Sequence, residues 1–147
     1  DEETIQVMLR VANREKQRWL NVKSFDNFPC VDLRTIDGLW VKYSNGRFGF
    51  SVQKRIYQSL GANEIAFGDR VGWRRKGWRL GMGFWKYYDE LTFDITAPEA
   101  HLPGCISLNL INTEDIEDIG VLDAFIFGTE AAKWAERFFS RVETCGL

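Results

Sequence analysis

The stretch LWVKYSNGRFGFSVQKRIY, residues 39–57, carries the reading of the fold. Upstream of it Pro29 stands where a helix tolerates proline, in the first turn. Leu33, Ile36, Trp40 and Tyr43 then follow at helical spacing, one apolar face of a helix. Ser44-Asn45-Gly46 is a strong stop, because Asn and Gly accept the left-handed backbone that ends helices. Ser51 is placed to cap a second helix, with Val52, Ile56 and Leu60 facing inward and Gly61 closing it. Gly49 lets the chain turn between the two helices, so Phe48 and Phe50 need not face the same way. Phe48 is expected in the core, and Phe50 is the ring placed to meet a partner from outside. A basic residue next to Gly and Phe-Gly-Phe also suggests an RNA-stacking strand. That reading fails here, because Gly46 precedes Arg47, Ser51-Val52-Gln53 replaces the usual ending, and helical spacing surrounds the motif.

The remaining segments extend the helical pattern. Ile5, Met8, Leu9 and Ala12 fall at i, i+3, i+4 and i+7, with acidic residues in the first turn to suit the helix dipole. Trp78-Arg79-Leu80 and Leu91-Thr92-Phe93-Asp94-Ile95 alternate apolar and polar residues and read as a short strand pair. Residues 97–128, opened by Pro98 and Pro103, have no clear period, and a stretch of that length inside a domain suits a lid or binding loop. Thr129 is expected to cap a last helix in which Ala131, Trp134, Ala135, Phe138 and Val142 share a face. The expected fold is mainly α: one domain over residues 1–147 with a minor β-hairpin.

A chain of 147 residues suits one domain and can bury a sizeable core without staples. The aromatic share, 14% with six Trp and eleven Phe, supports either a large aromatic core or rings that line a ligand cavity. Nineteen basic against twenty-one acidic residues leave a net charge of −2, which argues against nucleic acid as the main partner. Cys30, Cys105 and Cys145 are odd in number and far apart, so they suggest neither a disulfide framework nor a zinc site, and they fit a reducing compartment. No signal peptide and no membrane-spanning apolar run is apparent. A start at Asp1 rather than Met is expected of a domain taken from a longer protein.

Catalytic chemistry has little to stand on. His101 is the sole histidine, and no Cys-His or Ser-His-Asp arrangement can be specified around it. A lone histidine before a proline reads as structural rather than as a ligand, since metal sites pool several donors. The pairs Asp89-Glu90, Glu114-Asp115 and Glu117-Asp118 read as solvated acids, and Gly81-Met82-Gly83 lacks the lysine of a phosphate loop. The chain is therefore not expected to be an enzyme. The segment GDRVGWRRKGWRL is different: Arg70, Arg74, Arg75, Lys76 and Arg79 fall within ten residues, interleaved with Trp73 and Trp78. It is either a solvated basic face or an anion site edged by flat rings, suited to a flat hydrophobic ligand with carboxylate arms.

The run DLRTIDGLWVKYSNGRFGFSVQKRIY, with FGDRVGWR, LTFDITAP and AHLP after it, resembles the Genomes Uncoupled Four family. The resemblance spans most of the chain, from the first helix to about Pro103. It implies an all-α core shaped like a cupped hand that binds protoporphyrin IX or magnesium protoporphyrin IX and stimulates magnesium chelatase in chlorophyll biosynthesis. The implied partner is the large porphyrin-binding subunit of that chelatase. The implied place is a cyanobacterial cytoplasm or a plastid stroma, peripheral to photosynthetic membranes. By matching motif, Val41 and Phe50 line the floor of the cleft, Trp73 sits at its edge, and Arg74 meets a propionate; Arg75 and Trp78, from the basic segment that follows, are further candidate ligand contacts. The loop from Leu102 is the lid, with Leu108, Leu110 and Ile111 as apolar contacts. The poverty in histidine disfavours dedicated haem ligation and tolerates a free-base or magnesium porphyrin.

Two further readings stand beside this one. Residues 102–128 contain no arginine and are acidic, where chelatase-serving members often carry arginines. That favours a tetrapyrrole or bilin sensor module of a larger signalling protein. The other is a protein-interaction domain whose aromatic stretch is simply core.

Overall fold

The computed structural model describes residues 1–75, 83–104 and 123–147, the last helix with side chains from residue 133 onward. Helix α1 spans Glu2–Val11, α2 Val22–Asp26, α3 Cys30–Tyr43, α4 Phe50–Ser59, α5 Glu64–Val71 and α6 Asp123–Thr144. A two-stranded antiparallel sheet pairs β1, Arg74–Arg75, with β2, Phe84–Trp85, in the register Arg74 to Trp85. A 3-10 turn follows at Tyr88–Glu90. The mainly helical fold with a minor hairpin is thus the one expected from the sequence.

The hairpin lies elsewhere than the alternation suggested. Residues 78–80 fall outside the described residues, and Leu91–Ile95 is not a strand. Its backbone is claimed locally: the Leu91 N–H donates to the Tyr88 carbonyl at 3.2 Å, and the Thr92 N–H to the His101 ring at 3.0 Å. Asp94 then closes a turn by accepting from the Thr96 N–H at 2.7 Å. These bonds replace a ladder, as Asx turns commonly do.

Helix α3 starts one residue after Pro29, which serves as its N-cap position. It ends where Ser-Asn-Gly predicted, with Asn45 and Gly46 at φ of 55° and 80°. Leu33 and Ile36 face the core and Trp40 is partly buried, but Tyr43 is 77% exposed. Its position belongs to the helical face by spacing, yet it lies at the helix end, beyond the neighbours that cover that face.

Helix α4 begins at Phe50, one residue before the predicted cap. Ser51 does not cap it. The Asp37 carboxylate, from α3, accepts from the Ser51 N–H at 2.8 Å and from its hydroxyl at 3.0 Å. An anion from a neighbouring helix thus supplies what an N-cap side chain ordinarily would. Helix α6 likewise starts earlier than Thr129, so that residue lies inside it.

The core is built of rings brought by α2, α4, α5 and α6. Phe138 meets Phe25 at 5.3 Å and Phe50 at 5.1 Å, both edge to face. Phe139 stacks on Tyr57 at 4.6 Å and meets Phe67 at 5.5 Å. Phe67 in turn abuts Trp73 at 5.4 Å. Such edge-to-face pairs add to the burial of the rings themselves, which is the main stabilising term. The aromatic wealth of the described residues is therefore largely core. A smaller cluster of Phe48, Ala97 and Leu102 packs beside it against Trp40, so Phe48 is buried as expected.

One expectation is overturned outright. Cys30 and Cys145 form a disulfide with Cα atoms 5.1 Å apart. Their separation of 115 residues in sequence carries no information on distance, because α6 returns its end to the start of α3. Among the described residues no helix is long and apolar enough to cross a membrane.

Candidate functional site

The segments that carry the family-like motifs meet at residues 97–104. Arg47 donates from Nε and Nη2 to the Ala97 carbonyl, at 3.0 and 2.5 Å, and its own carbonyl accepts from the Ala100 N–H at 2.9 Å. The Gly49 N–H donates to the Leu102 carbonyl at 3.0 Å. From the first turns of α4, the Gln53 amide donates to the carbonyls of Ala100 at 3.1 Å and Pro103 at 3.0 Å. Gln53 is fully buried, and its Oε1 has no partner among the described residues.

His101 is the hub on the other side. Its Nδ1 lies 2.6 Å from the Val71 carbonyl at the end of α5, and its Nε2 accepts from the Thr92 N–H. Nδ1 therefore carries the proton, and both ring nitrogens are engaged. Burial lowers the imidazole pKa below its ordinary value, Lys86 adds to this, and the bond to Val71 opposes it. The His101 carbonyl accepts from the Trp73 indole at 2.8 Å. The expectation that this histidine is structural matches its place. Gly72, at φ 79°, has the left-handed backbone that ends α5 and brings Trp73 round to it.

The residues singled out from the sequence fall into three groups. Val41 is half-buried beside the Gly49 crossing, within contact reach of its backbone. Phe50, Trp73 and Leu102 are enclosed, at 0%, 2% and 3% exposure, and their rings and methyls face the protein rather than an open surface. Phe50, expected on the floor of an open cleft, sits under Phe138 because α6 covers that end of α4. Arg74 and Arg75 carry their own partners. The Arg74 side chain is 8% exposed, lies 3.2 Å from the Asp69 carboxylate, donates to the Gly83 carbonyl at 2.8 Å and lies over the Trp85 ring. Arg75 pairs with Glu90 at 3.1 Å and keeps half its side chain in solvent. Trp78, Leu108, Leu110 and Ile111 lie outside the described residues.

Sequence reasoning missed Asp37, Arg47 and Gln53. Gln53 lies beside Val52 and one turn before Ile56, and Asp37 follows Ile36, so each is a polar residue set at or beside a predicted inward face. Such a residue needs a partner when buried, and that is the signal that marks it. Phe84 in the hairpin and Tyr87, Phe93 and Ile95 after it are exposed apolar side chains, none of which the pattern distinguished from core.

A family model described as GUN4-like matches residues 1–116. The Ycf53-like protein of Synechocystis sp. is 36% identical over 88 residues, covering 60% of this chain and 36% of that protein. The tetrapyrrole-binding protein, chloroplastic, of Arabidopsis thaliana is 31% identical over 77 residues, 51% of this chain and 29% of that protein. The chain thus spans well under half the length of these relatives. In fold it is similar to the structure of GUN4 from Chlamydomonas reinhardtii, with a TM-score of 0.63 at 24% identity, covering 95% of this chain and 75% of that one. The match over residues 1–116 takes in every motif joined at residues 97–104, and the chain belongs to the GUN4-like family.

Proposed function

We propose that this chain binds a tetrapyrrole, protoporphyrin IX or its magnesium form, as a non-enzymatic regulator of magnesium chelatase. The observation that carries the reading is membership of a family with a relative named as a tetrapyrrole-binding protein. The geometry supports it in two ways. The motif segments are tied into one unit around residues 97–104, so the start of the proposed lid at Leu102 is held by α4 and by Trp73. The lone histidine has both ring nitrogens occupied, and Cys30 and Cys145 are bonded to each other. Among the described residues this leaves neither His nor Cys to ligate haem iron, while a free-base or magnesium porphyrin needs no such ligand.

In this reading Val41 offers the accessible floor, with Phe50 shaping it from behind and Trp73 fixing its edge. Arg75, half in solvent and paired only at the surface, is better placed than Arg74 to exchange its carboxylate for a propionate. Trp78, Leu108, Leu110 and Ile111 supply apolar cover for the macrocycle, whose burial contributes roughly 25 cal/mol per Å². Titration with magnesium protoporphyrin IX, followed by tryptophan quenching, tests the binding. Saturable quenching at micromolar ligand is expected, and its absence overturns the reading.

The absence of arginine from residues 102–128 favours a second reading, a tetrapyrrole or bilin sensor module that does not act on the chelatase. A reconstituted chelatase assay separates the two. Stimulation supports the regulator, whereas binding without stimulation supports the sensor.

A further inference from the structure

The Cys30–Cys145 bond stands at a place where its opening has a defined structural consequence. Cys30 is the first residue of α3, and Cys145 follows the last residue of α6. Cys145 is fully buried, whereas Cys30 keeps part of its surface in solvent. Arg34, one turn after Cys30 on the same helix, donates from Nε to the Cys145 carbonyl at 2.6 Å, a second tie between the start of α3 and the end of α6. The end of α6 is also held by buried Val142 and by polar contacts. Arg141 donates to the Phe28 carbonyl at 2.9 and 2.7 Å, and Lys54 donates to the Leu147 carbonyl.

We propose that this disulfide is a thiol–disulfide exchange site for a protein dithiol, and that its state sets how firmly α6 is seated on the core. The chemistry follows from the exposure. The attacking thiolate reaches the Cys30 sulfur, a new S–S bond forms there, and the bond to Cys145 breaks. Cys145 leaves as a thiolate and takes up a proton. The second thiol of the reductant then attacks the mixed disulfide and releases Cys30. Two electrons pass from the dithiol to the protein, the reductant becomes a disulfide, and both cysteines take up protons.

Cys145 is wholly enclosed, whereas Cys30 is only partly buried, so the approach of a reductant to the bond is from the Cys30 side. The consequence of opening is graded, not catastrophic. The rings of α6, Phe138 against Phe50 and Phe139 against Tyr57, keep the helix docked while its end loses the covalent tie.

The test uses the whole chain. Treatment with dithiothreitol in native buffer, then alkylation and mass spectrometry, is expected to label Cys30 and Cys145, both of which are blocked in the oxidised form. The reduced protein should melt about 10 °C lower, with recovery on oxidation by oxidised dithiothreitol. Hydrogen exchange should speed up at least tenfold in residues 134–145 and stay unchanged in 33–43. The Cys30→Ser variant should copy the reduced state, and reduction of the unmutated chain decides the matter if that variant fails to fold. Cysteines that stay blocked after native dithiothreitol, or reduction that leaves exchange in α6 unchanged, overturn the proposal.

Discussion

The Gly49 N–H donates to the Leu102 carbonyl at 3.0 Å, which fixes the crossing between α3 and α4 against the Leu-Pro segment. Gly49 adopts φ 132°, and a Cβ there would lie 2.8 Å from the Asp37 carboxylate and 2.9 Å from Val41 Cγ2. Both the backbone and the space therefore require glycine. A Gly49→Ala change should cost about 2–4 kcal/mol in urea unfolding, from strain plus overpacking. Gly46→Ala, at φ 80° with nothing nearby, should cost only about 1 kcal/mol, since strain alone remains. Equal losses at the two sites would contradict the close approach.

Gln53→Leu keeps the volume near that of the amide and removes its donors. The carbonyls of Ala100 and Pro103 then lose their Gln53 partner inside the protein. The expected loss is about 2–4 kcal/mol, since each orphaned buried acceptor costs roughly 1–3 kcal/mol. Removing Oε1 itself should cost nothing, because it is unpartnered among the described residues. A stability within 0.5 kcal/mol of the parent, measured by urea unfolding, would remove Gln53 from its bracing role.

His101 makes a pH prediction whose sign is fixed by its burial. The folded imidazole holds its proton less tightly than an ordinary one, with a pKa below 6.5. Its contribution is therefore fully present above pH 6.5 and is lost as pH falls from there through the folded pKa, because the unfolded chain binds the proton first. Urea midpoints across pH 5 to 8 should decline on the acid side. In a His101→Gln variant, less stable throughout, that part of the slope should vanish.

Phe50→Ala distinguishes core from surface. With the ring fully buried against Phe138, the expected loss is about 3–5 kcal/mol. Tyr43→Ala, at 77% exposure, should stay within about 0.5 kcal/mol of the parent. A Phe50→Ala protein that kept its stability would mean that the ring contributes little to the core.

The sequence by itself determined the local grammar of this protein. Helical spacing in α1, α3 and α4, the Ser-Asn-Gly stop and the mainly α class are all set by neighbours within a few residues, through periodicity and backbone preference. It also sufficed for the family, because the motif strings are carried by residue identity alone. Only the tertiary structure decided the rest. Asp37 caps a helix it does not belong to, and His101 and Gln53 knit segments up to 50 residues apart. Cys30 meets Cys145 across 115 residues, and Phe50 faces inward because α6 returns to cover it. In each case the partner is chosen by packing over distances that no local pattern encodes. A buried polar group must find a bond, but which bond it finds is set only when the helices have met.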